Sequence, residues 1–220
     1  MQLDVFGSLW SLREIERKQW AVRLRAAGCC GAEGRLPQDA LARQGWAQWL
    51  ANEGFEYIAV LFSVGDVLPP PSWTPQQHLT HLQQQLDAAL AFQPRLLNVL
   101  AGSDRWPLAQ QVDFLGRAVE LAQDAGIPWA FETHRGSSLY SPWSSLELIR
   151  QVPDLWLTLD VSHWVVVAER LLDDAADAQA LEPVIARVRH IQARVGYAQG
   201  PQVPHPAAPE YHHESPNTPN

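Results

Sequence analysis

The chain has 220 residues, 46% of them apolar, and a formal charge of −8. That is enough for one sizeable α/β core, and no apolar run approaches the ~20 residues that span a bilayer. An acidic chain without a basic stripe is a poor match for nucleic acid.

The two cysteines, Cys29 and Cys30, are adjacent and badly placed to staple distant segments, which fits a reducing, cytoplasmic setting. They read as small core residues. The single lysine, Lys18, falls in a predicted helix. That excludes a Schiff base formed from an inward-facing strand position. A strand-like segment follows the N-terminus almost at once, so no leader peptide is expected.

In chain order, Leu3–Gly7 reads as a short strand and Leu12–Ala27 as a helix. Cys29–Glu33 is a second strand, with Glu33 at its end as a rim hydrogen-bonder. Pro37–Asn52 is helical, and Tyr57–Phe62 is a third strand. Val67–Pro75, with four prolines, is a loop over the rim. Pro75–Phe92 is a glutamine-rich amphipathic helix, and Leu96–Leu100 is strand four. Pro107–Ala125 is a helix with proline in its first turn. Pro128–Glu132 is strand five, a helix covers Trp143–Gln151, and Leu155–Asp160 is strand six. Trp164–Leu171 and Ala180–Val188 read as helices, and Arg189–Arg194 as strand seven. Such alternation predicts a parallel sheet and, with seven units, an incomplete TIM-type (β/α) barrel over residues 1–196. Residues 197–220 hold six prolines and no apolar run, the composition of a loop and tail. In that tail His205, His212 and His213 are not expected to act as specific metal ligands.

Two stretches carry the chemistry: IPWAFETH (127–134) and LWLTLDVSHW (155–164). Each is an apolar run ending in a carboxylate followed closely by an imidazole, Glu132 with His134 and Asp160 with His163. In barrels of parallel strands that rim is where chemistry sits. The blander readings are that Glu132 and Asp160 cap loops, that His134 only orients its neighbours, and that His163 makes a structural bond at a helix start. Two carboxylate–histidine endings together weigh for a metal-binding rim. Most of the ten tryptophans read as packing, although Trp10, Trp106 and Trp164 fall at strand ends where a sugar ring could stack.

FETHRG, LTLDVSHW and HIQARVGYAQGPQVPHP, with the order of elements, resemble the xylose-isomerase-like TIM barrels, nearest the sugar phosphate isomerase and epimerase branch. The resemblance implies a divalent ion (Mn, Mg, Co or Zn) held by Glu132 and Asp160. It also implies substrate contacts from His163 and Arg194, with His134 and Trp164 beside them. The family's strand-seven histidine falls at Gln192, and its strand-eight glutamate has no counterpart. An amide oxygen at Gln192 is a neutral, weaker ligand than imidazole. His190 lies on the same face one layer deeper. The expectation is therefore a weakened metal site. The implied activity is sugar or sugar phosphate isomerisation or epimerisation through an enediolate, with Glu132 as base. The alternative is a catalytically impaired or truncated sugar-binding relative. An open barrel edge between the last and first strands invites self-association.

Overall fold

The computed structural model describes residues 3–10, 17–205 and 208–210. The opening turns of the first predicted helix, before Arg17, and the histidines His212 and His213 lie outside the described residues. The alternation is present as expected. Its first half is β1 (Phe6–Ser8), α1 (Arg17–Ala26), β2 (Gly31–Arg35), α2 (Ala40–Glu53), β3 (Glu56–Phe62), α3 (Pro75–Leu90) and β4 (Leu96–Leu100). There follow α4 (Leu108–Asp124), β5 (Trp129–Glu132), α5 (Pro142–Gln151), β6 (Leu157–Leu159), α6 (Val161–Ala168), α7 (Ala175–Ile185) and β7 (Val188–Ile191).

Capping chemistry sets the helix starts. Asp39 accepts from the Ala42 N–H at 2.7 Å, Thr74 and Gln77 form a capping box ahead of Pro75, and Ser141 caps the helix opened by Pro142. These side chains satisfy N–H groups that have no partner inside the helix. The same chemistry corrects two predicted boundaries. Asp160 accepts from the Ser162 N–H, so α6 begins at Val161 rather than Trp164. Asp174 accepts from the Asp177 N–H, so α7 begins at Ala175 rather than Ala180. The end strands are also displaced: β1 starts at Phe6, β2 runs on to Arg35, and β7 stops at Ile191.

The seven strands pair in sequence order, all parallel. Strands β3, β4 and β5 are buried almost throughout, as a sheet covered on both faces requires. Their outward residues, among them Leu61, Leu97, Val99 and Phe131, join Leu82, Leu86, Phe114 and Leu115 of the helices in the main core. Each such side chain contributes on the order of 2 kcal/mol of burial. Among the described residues β1 pairs only with β2 and β7 only with β6. No ladder closes the barrel, yet the sheet curls far enough for Glu33 of β2 to meet His190 of β7 at 3.1 Å.

The inner face is layered. Ile58, Leu96 and Ala130 form one apolar cluster with Phe6 and Trp156; Val60, Phe62 and Leu100 form another. Alternation along β4 places Asn98 between Leu96 and Leu100 on that face. There it joins Glu33 and Glu132 in a polar middle layer.

The described residues beyond β7 are held by more backbone hydrogen bonds than their proline content suggests. Tyr197 and Gly200 exchange backbone hydrogen bonds at 2.8 and 2.9 Å, and the Val203 N–H donates to Val195 O at 2.8 Å. Val203 itself is buried. Among the described residues no helix is long and apolar enough to cross a membrane.

Candidate active site

The ends of β5 and β6 are locked together before any functional side chain is placed. Thr133 Oγ1 donates to Asp160 O at 3.1 Å and accepts from the Asp160 N–H at 2.8 Å. This brings Glu132, His134, Asp160 and His163 to one rim. The His134 and His163 rings lie with centroids 3.8 Å apart. Carboxylate oxygen of Glu132 and ring nitrogens of His134 and His163 all fall within 4.8 Å of one another.

Hydrogen bonding fixes the tautomer of His134. Its Nδ1 lies 2.6 Å from Arg135 O, and a carbonyl can only accept, so Nδ1 carries the proton and Nε2 is left as a lone-pair donor. That is the arrangement in which an imidazole ligates a metal. His163 Nδ1 accepts from Arg135 Nε at 3.1 Å, and its Nε2 faces the Arg194 guanidinium and Asp160 Oδ2 at 3.7 Å. A neutral imidazole has one acceptor nitrogen, so only one of the two guanidinium contacts can be a hydrogen bond. Burial, with His134, Arg194 and Arg135 nearby, pushes the His163 pKa down to about 2, so the ring is neutral. Burial likewise lowers that of His134.

Asp160 is fully buried. Its Oδ1 accepts from the Ser162 N–H at 3.1 Å and from the Ser162 hydroxyl, while Oδ2 pairs with Arg194. Glu132 is 4% exposed, and its Oε2 accepts from Asn98 Nδ2 at 2.8 Å and Gln192 Nε2 at 3.2 Å. Burial pushes its pKa up to about 8, with the Asp160 and Glu33 charges adding to the rise and Asn98 and Arg194 opposing it. Glu33 moves the other way. Burial works to raise it, but His190, Gln192 and Asn98 outweigh that and hold it below the usual carboxylate range.

The predicted residues are thus brought together, with changes of role. Glu132, His134, Asp160, His163 and Arg194 share the rim. Gln192 reaches it but turns its amide nitrogen, not its oxygen, toward Glu132 and Glu33; as placed it donates to carboxylates instead of ligating an ion. Trp164 is 1% exposed, and its indole N–H donates to Leu139 O at 3.0 Å. It packs in the core and presents no face to a sugar. Glu33 lies in the middle layer, buried and shared by three partners. Asn98 and Arg135 had no place in the sequence reading. The signal for Asn98 was a lone amide inside the apolar run LLNVL, at inward parity.

Glu132 and His134 offer a carboxylate oxygen and a free imidazole lone pair, donors that suit Zn, Mn or Co. His163, the third group within reach, ligates only if the arginine on its single lone pair moves away. Orphaned acceptors in the same layer point to a polar ligand. Asn98 Oδ1 and Thr158 Oγ1 are buried without a hydrogen-bond partner.

Residues 22–216 match the family model described as xylose isomerase-like TIM barrel. No curated protein matches the sequence. Solved structures that share the fold include the following three. The "probable 3-DHS dehydratase AsbF" of Bacillus anthracis superposes with TM-score 0.64 at 14% identity, over 94% of this chain and 78% of that one. A D-allulose 3-epimerase from Methylomonas sp., in complex with D-allulose, gives 0.62 at 17% identity over 86% and 71%. An IOLI protein with a bound zinc atom gives 0.53 at 14% over 80% and 70%.

Proposed function

The chain belongs to the xylose isomerase-like TIM barrel family, and from that premise we propose that it isomerises or epimerises a small sugar or sugar phosphate by proton transfer beside a carbonyl. One observation carries the reading: a buried carboxylate, Glu132, converges with His134 and His163 at the rim. In its ionised form Glu132 takes the proton from the carbon next to C=O. The C–H electron pair becomes the C=C bond and the carbonyl π pair moves to oxygen, giving an enediolate. Return of the proton to the neighbouring carbon, with the hydroxyl proton passing to the former carbonyl oxygen, isomerises the sugar; epimerisation requires a second acid to protonate the opposite face of the same carbon.

Glu132 and His134 would hold a divalent ion, joined by His163 once an arginine gives up its lone pair, with Asp160 beside them in its pair with Arg194. Such an ion offsets the negative charge that develops on the two oxygens. Arg135 and Arg194, both against His163, keep that side of the rim cationic and suit the substrate's oxygens. The adjacent, unpaired cysteines fit a reducing, cytoplasmic setting.

The alternative of a sugar-binding relative with little turnover has one observation in its favour: Asp160 is already paired with Arg194, and one oxygen of Glu132 is already held by two amides. The test is Mn²⁺ binding beside solvent-deuterium uptake at the carbon next to the carbonyl of D-allulose, D-tagatose and a ketose phosphate. Uptake that disappears in Glu132→Gln supports the enzyme. Sugar binding without uptake supports the relative instead.

Among the described residues the outer edges of β1 and β7 are unpaired and Ile191 is 61% exposed, which favours self-association. Sedimentation velocity of the wild type against Ile191→Lys tests this, and identical monomeric profiles would remove it.

A further inference from the structure

Glu33 lies on β2, three strands from β5, yet its carboxylate is tied to Glu132 twice over. Asn98 Nδ2 donates to Glu33 Oε1 at 3.0 Å and to Glu132 Oε2 at 2.8 Å. Gln192 Nε2 donates to the same two oxygens at 2.8 and 3.2 Å. A side-chain amide has two N–H hydrogens, so each can serve both carboxylates at once. One clamp comes from β4, the other from just beyond β7. The second oxygen of Glu33 is taken by His190 at 3.1 Å, across the gap that no strand pairing closes. Among the described residues, Glu132 Oε1 accepts no hydrogen bond, since both amides fall on Oε2.

We propose that Glu33 is a positioning residue for Glu132: held by His190, it orients the Asn98 and Gln192 amides so that they fix one Glu132 oxygen and leave the other free for proton transfer. This rests on Glu132 being the proton-transfer group, as proposed above. A base held by two amides keeps its free lone pair aimed at the reacting C–H bond, and such alignment is worth tenfold or more in rate. Glu33 need not touch the substrate for this. Without it, neither amide has a second acceptor to set its rotation, and both can turn away from Glu132.

The experiment compares wild type, Glu33→Met and Glu33→Gln in the full chain. Methionine keeps the length of the side chain but offers the amides no oxygen; glutamine keeps one. Two readouts are taken. The first is kcat and KM for deuterium uptake by D-allulose. We expect Glu33→Met to lower kcat about tenfold or more with KM little changed, and Glu33→Gln to recover most of that loss. The second needs no turnover: the ¹³C resonance of the Glu132 carboxyl, identified by its loss in Glu132→Gln. It should move in Glu33→Met and return toward the wild-type position in Glu33→Gln. Gln192→Met, which removes one clamp on the half-buried edge, should move it in the same direction and covers the case in which Glu33→Met does not fold. Wild-type kcat in folded Glu33→Met, or an unmoved Glu132 resonance in either methionine variant, would overturn the proposal. A wild type without deuterium uptake but with the expected resonance shifts would retire the proposed reaction and leave the positioning intact.

Discussion

Replacing Glu132 by glutamine should reshape the pH dependence of stability, and the size of the effect follows from burial. Glu132 is pushed from an ordinary 4.5 up to about 8 in the folded chain, while the unfolded chain returns it to the ordinary range. The folded state therefore holds the proton more tightly. Its contribution is fully present below about pH 4.5 and is lost as the pH rises through about 8. At about 1.4 kcal/mol per pH unit the span is on the order of 5 kcal/mol, a large part of the stability of an ordinary domain. The assay is urea unfolding in chelator at intervals from pH 5 to pH 9, for wild type and Glu132→Gln. Glutamine has the same shape and cannot ionise, so its curve lacks this component. The wild type should lose several kcal/mol relative to the variant over that interval. Other groups cancel in the comparison, including His163 and the buried His78, whose pKa is pushed down to about 4 mainly by burial. Parallel curves would refute the reasoning, because they would mean that Glu132 ionises in the fold without penalty.

Three more outcomes are expected. Mn²⁺ affinity measured by titration should rise with pH up to about 8, since the ion must displace the Glu132 proton, and Glu132→Gln and His134→Ala should each weaken it about tenfold or more; equal affinity in all three proteins would count against the assignment. Gln192→His should tighten metal binding by adding an imidazole beside Glu132, without raising turnover, because the same change removes an amide clamp; calorimetry and the exchange assay separate the two effects. Ser63→Ala should cost about 1–3 kcal/mol in urea unfolding, since Ser63 Oγ lies 2.9 Å from His78 Nδ1 and accepts from the Gly102 N–H at 3.1 Å, and an unchanged midpoint would show that both buried groups find other partners.

The sequence alone determined the alternation of strands and helices, because a strand buried on both faces must be a short continuous apolar run. YIAVLF and LLNVL can hardly be read otherwise. It also determined which carboxylates leave the sheet at the rim, since Glu132 and Asp160 end such runs in register with a following histidine. Its boundary errors came where a short polar side chain decides the start of a helix: Asp160 and Asp174 cap earlier than the apolar periodicity begins. Only the tertiary structure decided what lies opposite what. Parity along β2 gives Glu33 a face but not a partner; the curl of seven strands is what carries it to His190 and Gln192, more than 150 residues away. The direction of the Gln192 amide was equally out of reach, because oxygen and nitrogen are interchangeable in shape and only the surrounding carboxylates select between them. Trp164 stands at a strand end in the sequence, yet it turned inward. A helix that begins at Val161 points that position back into the core, and nothing local to LDVSHW records the rotation.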